Sequence, residues 1–223
     1  MKNKVGTVQD ALEHIENGQT IMCAGFTNVG SANYLIRAIV DAGFRDFHII
    51  ANDAGNDHAD GIGTLICERR AKSLIASHVG LNPEVGRQMA EGVLDVTLVP
   101  QGTLAERIRC GGAGLGGVLT PTGVGTVVEE GKQAIELNGK KYLLETPLRA
   151  QVGLVKAWKA DTCGNLVYHR LARNFNPMVA MACDYVIAEV EEVVQPGEID
   201  PDEVMTPGVC VDLIVPFREV DTK

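Results

Sequence analysis

Seven glycines fall within the sixteen residues 111–126, and Gly112-Ala-Gly114-Leu-Gly116-Gly117 among them matches G-x-G-x-x-G, the spacing that lets backbone close around a dinucleotide pyrophosphate. That chemistry requires a strand running into the glycines and a helix leaving them, so that free helix N–H groups meet the phosphate. Both flanks differ here. Upstream, Thr103-Leu-Ala-Glu106-Arg-Ile-Arg109-Cys110 reads as a helix, with Thr103 and Glu106 spaced as a capping box and Leu104, Ala105 and Ile108 as its apolar stripe. Downstream, Pro121 sits among β-branched residues where a helix would have to begin. The other phosphate loop, G-x-x-x-x-G-K-[ST], fails as well: Thr126 stands where its first glycine belongs, and Gln133 follows Gly131-Lys132.

Residues suited to holding a ligand lie elsewhere, in three loops that each follow an apolar run: Gly25-Phe26-Thr27-Asn28-Val29-Gly30, Asn52-Asp53-Ala54-Gly55-Asn56-Asp57-His58, and Pro100-Gln101-Gly102-Thr103. Small residues let backbone approach a ligand closely, and side-chain amides donate hydrogen bonds without adding charge. None of the loops offers a nucleophile. Cys23 and Cys67 sit in apolar runs and read as buried thiols. His58 and His78 share no i, i+4 spacing with another ligand type, so no metal site is expected, and the Asn52–Asp57 run lacks the order of a calcium loop. Arg107 and Arg109 leave two readings open, an anion grip or a solvated helix face.

These loops need strands to carry them. Thr20–Phe26 reads as a buried strand, and Phe47–Ala51, Ser73–Ser77 and Leu94–Val99 read as further strands. Between them lie amphipathic segments: a helix capped by Ser31 that stops near Gly43, one over Ile62–Arg69, and one over Pro83–Glu91. After the glycines, Gln133–Leu137 and Lys140–Leu144 alternate around Asn138-Gly139 as a hairpin. Val152–Ala157, Tyr185–Val190 and Val209–Val215 return to strand character, and Asn176-Pro177 opens a further helix. The alternation predicts one α/β domain over residues 1–223: an open, doubly wound, mainly parallel sheet with crossover helices and a β-hairpin insertion.

Composition narrows the function classes. A formal charge of −9, a single Trp and no Lys/Arg run interleaved with aromatic rings exclude the basic stripes and stacking platforms of nucleic-acid binders. Apolar residues at 45% against 22% charged fit a folded soluble domain. No signal peptide and no membrane-length apolar run is visible, so a cytoplasmic protein is expected, free of membrane contact. The six cysteines form no C-x-x-C pair, which predicts free thiols with neither disulfide nor zinc.

Four stretches together resemble the coenzyme A transferases: Asn17-Gly18 followed by apolar residues and Gly25-Phe26 to Gly30, Pro100-Gln101 to Gly114, Thr120–Thr126, and Arg173-Asn-Phe-Asn-Pro177. The likeness spans nearly the whole chain and is closest to the α subunit of the bacterial acetate or acetoacetate (3-oxoacid) type. Ala24 and Ala32 depart from the family pattern, and Asp53 follows Asn52 where some relatives carry two asparagines. The resemblance implies an α/β fold shared with sugar-phosphate isomerases. It also implies an enzyme of short-chain fatty acid metabolism that is active only with its β subunit, with an α/β heterotetramer as the expected assembly, and that takes CoA as substrate, with no cofactor. The nucleophile would be a glutamate in a Ser-Glu-Asn-Gly context on the β subunit; this chain holds only the partial echo Glu16-Asn17-Gly18. CoA would pass between an acyl-CoA and acetate, butyrate or acetoacetate by a ping-pong route through a glutamyl-CoA thioester. On this chain the resemblance points to Gln101 as oxyanion donor and Asn52 as orienting group. Gly25, Phe26, Asn28, Gly30, Asp53 and Gly102 are expected to contact substrate, and Gly112 and Gly114 to line the acyl pocket or the subunit contact. The alternative weighed beside it is a non-catalytic module that binds a sugar phosphate, which would need clustered Lys and Arg at the strand ends.

Overall fold

The structure, a computed structural model, describes residues 2–57 and 61–217, so His58 lies outside the described residues. Thr7 opens the first helix, α1 (Val8–Leu12), through a capping box: the Asp10 N–H donates to the Thr7 hydroxyl, and the Asp10 carboxylate accepts from the Thr7 N–H. Strand and helix then alternate as β1 (Thr20–Cys23), α2 (Asn33–Asp41), β2 (Phe47–Ala51), α3 (Ile62–Cys67), β3 (Ala71–Ala76), α4 (Pro83–Ala90), β4 (Asp95–Leu98) and α5 (Gln101–Ala113). Three short strands follow, β5 (Val118–Thr120), β6 (Ala134–Leu137) and β7 (Lys140–Glu145). The chain closes with β8 (Ala150–Asp161), β9 (Leu166–Val167), α6 (Asn176–Ala182), β10 (Cys183–Val194) and β11 (Leu213–Pro216).

The main sheet runs β4-β3-β2-β1-β8-β10-β11 with every neighbour parallel, and β9 adds antiparallel to the end of β8. Successive side chains along a strand face opposite ways. Ile21 and Cys23 therefore enter one core with Leu35, Ile36 and Ile39 of α2 and Leu65 of α3. Met22 enters the other, with Leu104 and Ile108 of α5 and Val179 of α6. Helices cover both faces, as a doubly wound sheet requires. The order reverses between β1 and β8, and such a switch point leaves a crevice at the carboxyl ends of the strands. The Asn-Gly hairpin forms, with φ of 53° at Asn138 and 73° at Gly139, and β5 joins it to make a separate three-stranded antiparallel sheet.

Several local expectations are corrected. The helix before the glycines starts at Gln101 behind Pro100, whose φ of −50° already sets its entry, and no side chain caps it. Thr103 lies inside its first turn with the hydroxyl buried and unpartnered among the described residues, and Glu106 pairs with Arg109, so the capping box does not form. Ser31 does not cap α2 either. The cap is supplied from across the sheet: Glu189 of β10, fully buried, accepts the Tyr34 and Leu35 N–H groups at 2.9 and 3.2 Å. Burial raises the Glu189 carboxyl, and Lys156 Nζ at 3.4 Å opposes that shift. Strands β8 and β10 outrun their apolar centres because Lys156 and Lys159 stand in register with Glu189 and Glu192, so charge continues the pairing. The last strand begins only at Leu213, since Gly208–Cys210 forms a turn packed so tightly on Cys163 that a Cβ on Gly208 would lie 2.5 Å from its carbonyl oxygen.

The glycine stretch serves close packing. A Cβ at Gly111 would sit 1.9 Å from the Leu148 carbonyl oxygen, and one at Gly112 would sit 2.6 Å from Met181 of α6, so these two residues let α5 lie against the segment entering β8 and against α6. Gly114, at φ 68°, ends the helix in the left-handed conformation. Gly111→Ala is accordingly expected to destabilise the fold by ~1–3 kcal/mol or more in urea unfolding. Gly116→Ala, with nothing among the described residues within 4 Å of the added carbon, serves as the control, and its effect is expected to stay within about 0.5 kcal/mol.

Candidate active site

The three amide-rich loops converge at the carboxyl ends of the parallel strands. Gln101 is the first residue of α5, placed there by Val99-Pro100 as the chain leaves β4, and its Nε2 donates to Asn52 Oδ1 at 2.9 Å. Asn52 directly follows β2 and is buried. Its backbone oxygen accepts the Ser77 N–H at 2.9 Å and the Ser77 hydroxyl at 2.7 Å, which extends the β2–β3 pairing past the strand ends. The Asn52 Nδ2 donates to Asp53 Oδ2 at 2.7 Å, and that oxygen also accepts the Thr27 N–H at 2.9 Å, while Asp53 Oδ1 accepts the Gly55 N–H at 2.9 Å. One hydrogen-bonded chain thus links the loop after β1, the loop after β2 and the start of α5.

The loop after β1 is a two-residue turn. Phe26 and Val29 exchange backbone hydrogen bonds at 3.0 and 2.9 Å, and Thr27 and Asn28 between them have φ of 43° and 78°. A β-branched residue at positive φ is strained and needs support. Asp53 supplies it from one side, and from the other Asn174 Nδ2 donates to the Val29 oxygen and Asn176 Nδ2 to the Gly30 oxygen. Asn176 is fully buried, and its Oδ1 accepts the Lys156 N–H, fastening α6 to β8. Gly25 has no room for a side chain, because a Cβ would stand 2.3 Å from Ser31 Oγ. The turn pushes Phe26 and Val29 out into solvent with nearly half of each exposed. Beside it a cleft of about 230 Å³ opens between Asn28–Gly30 and Trp158, whose ring packs on His169 at 5.3 Å between centroids.

What this site offers chemically is a set of uncharged donors. The α5 N-terminus lacks a side-chain cap, so the backbone N–H groups of Gln101 and Gly102 add the partial positive charge of a helix start beside the Gln101 amide. Such donors suit an oxygen on which negative charge develops. Cationic side chains near α5 are already engaged: Arg107 Nε donates to the Thr146 oxygen and lies 3.9 Å from buried Glu145, and Arg109 pairs with Glu106. Burial lowers the Arg107 guanidinium. Glu16 precedes β1 and so lies at the opposite, amino end of the strands. Among the described residues no group of His, Cys, Asp and Glu is arranged to hold a metal ion, and no helix is long and apolar enough to cross a membrane.

Of the residues singled out in the sequence, the structure brings together Gly25, Phe26, Asn28, Gly30, Asn52, Asp53, Gln101 and Gly102. It sets Gly112 and Gly114 at the far end of α5, roughly 16–20 Å from Gln101 along the helix at ~1.5 Å per residue. Ser77, Asn174, Asn176 and Glu189, which hold the loops in place, were not singled out. The Asn pair was visible as the amides of Arg173–Pro177, but only folding shows what they clamp.

A family model described as Coenzyme A transferase matches residues 5–216. The chain is 53% identical to acetate CoA-transferase subunit alpha of Escherichia coli, over 98% of this chain and 99% of that one. To the acetoacetyl-CoA:acetate/butyrate CoA transferase alpha subunit of Clostridium acetobutylicum it is 44% identical, over 96% and 98%. The fold superposes on the acyl-CoA transferase apoenzyme from Escherichia coli O157:H7 with a TM-score of 0.86 and 22% identity, covering 97% of this chain and 48% of that one, so the chain spans about half that structure's length.

The six cysteines are free, and burial pushes the Cys23 and Cys183 thiols up to about 12. Iodoacetamide applied to the native protein at pH 8 is therefore expected to spare Cys23, Cys110, Cys163 and Cys183, and peptide mapping is expected to show modification confined to the half-buried Cys67 and Cys210.

Proposed function

This chain belongs to the coenzyme A transferase family, and we propose that it is the α half of a two-chain enzyme that moves CoA between an acyl-CoA and a short-chain carboxylic acid. The observation that carries the reading is the Gln101–Asn52 pair at the uncapped start of α5. Its neutral donors are set to hold a reacting oxygen, while the attacking group comes from elsewhere. The two relatives above are named as α subunits, which supports a partner chain, and the α/β heterotetramer is the assembly we infer. Their named substrates support acetate, butyrate and acetoacetate as the acids. CoA enters as substrate, with no further cofactor.

In the proposed route a glutamate carboxylate of the partner attacks the thioester carbonyl. The C–S bond breaks, CoA leaves as thiolate, and a mixed anhydride forms. The thiolate then attacks the glutamyl carbonyl and releases the first acid as carboxylate, leaving a glutamyl-CoA thioester. A second acid repeats the sequence in reverse. Each addition places negative charge on a former carbonyl oxygen, which the Gln101 amide and the N–H groups at the start of α5 stabilise. A site of neutral donors suits this chemistry, because a fixed cation would hold the free carboxylates as tightly as the transition state.

In the assembled enzyme, Gln101→Ala is expected to lower kcat by roughly 10²–10³ in steady-state assays, and an unchanged kcat would refute the donor role. Assayed alone, this chain is expected to be inactive, with activity appearing on addition of its partner. Borohydride reduction in the presence of acyl-CoA is expected to label the partner; a label on this polypeptide would overturn the division of labour.

A further inference from the structure

A side-chain amide has nearly the same shape with its oxygen and nitrogen exchanged, so the Asn52–Gln101 pair alone does not determine which way hydrogen bonds run through it. Asp53 does. A carboxylate only accepts, and three N–H donors meet this one: Thr27 and Asn52 at Oδ2, and Gly55 at Oδ1. Two of the three are backbone groups that cannot exchange ends. Asn52 must therefore turn its NH₂ toward Asp53 and its carbonyl the other way. On that side the Asn52 oxygen accepts Gln101 Nε2 at 2.9 Å, with Ser77 Oγ, whose hydrogen goes to the Asn52 backbone oxygen, 3.3 Å away. Gln101 is held with nitrogen toward Asn52, and its second Nε2 hydrogen has no acceptor among the described residues.

We propose that Asp53 is a positioning residue that sets the donor sense of this relay, so that Gln101 presents an N–H, not a carbonyl, to the reacting oxygen. The inference rests on the reading of Gln101 as oxyanion donor. An asparagine at 53 would face one of the fixed backbone N–H groups with its own NH₂. Where it turned that NH₂ toward Asn52, the Asn52 amide would reverse, and Gln101 would reverse with it. The orienting effect should then be lost while the volume of the side chain is kept.

The test is a double-mutant cycle in the assembled two-chain enzyme. Asp53→Asn is expected to lower kcat by roughly tenfold while KM for acyl-CoA stays within about twofold, the signature of an interaction made in the transition state. In a Gln101→Ala background, where no amide remains to orient, adding Asp53→Asn is expected to change kcat by less than about twofold. A purely structural role would lower kcat by the same factor in both backgrounds, and that result overturns the proposal, as does wild-type kcat for Asp53→Asn. If Gln101→Ala itself leaves kcat unchanged, the donor reading fails and this inference with it; a loss there beside an unaffected Asp53→Asn overturns the inference alone. Thermal melts establish that the variants fold, and Asp53→Ser, smaller at this buried position, carries the same comparison should Asp53→Asn not fold.

Discussion

Buried polar groups at the ends of parallel strands must find partners, and in this protein that constraint organises the whole active end of the sheet. Strand pairing satisfies backbone groups only as far as the strands run, and beyond them every buried N–H or carbonyl needs another partner. Asp53 and Asn52 meet that need for the loop after β2, and in doing so they tie it to the turn after β1 and to the first residue of α5. The site is thus the polar termination of the sheet. Its precision comes from the same bonds that satisfy Asn52 and Asp53 at those ends.

The same economy shapes the opposite flank of the switch point. Glu189 sits in the apolar body of the fold because it caps the start of α2 and meets Lys156 in register on the neighbouring strand. Asn176 closes the remaining gap by accepting from Lys156 and donating to Gly30. Desolvating a carboxylate is costly, and here two helix N–H groups and an ammonium offset that cost together. The strained turn at Thr27 and Asn28 is held between these two polar systems, which is how a conformation unfavourable in isolation persists in the fold.

Glycine in this chain illustrates how one residue type fills unrelated roles. The match to a dinucleotide fingerprint arises from Gly112, which admits Met181 against α5, from helix-ending Gly114, and from Gly117, whose added Cβ would meet the Glu145 oxygen at 2.6 Å. Helix before and strand after invert the order that phosphate binding needs, and that order was already readable from Thr103–Cys110 and Pro121.

The amino-acid sequence by itself determined the alternation of strands and helices, the two-faced sheet and the Asn138-Gly139 turn, because period-two and helical apolar patterns and turn residues act over a few neighbouring positions. It also marked Gln101, Asn52 and the Gly25–Gly30 loop, since small and amide residues after a strand stand out locally. It misplaced the caps of α2 and α5 and the ends of β8 and β10, where the deciding partners are distant: Glu189 caps a helix more than 150 residues away in sequence, and Lys159 extends a strand only because Glu192 faces it. The direction of hydrogen bonding through Asn52 belongs to the same class. It depends on the Thr27 and Gly55 N–H groups arriving at one carboxylate, and only the folded chain brings them there.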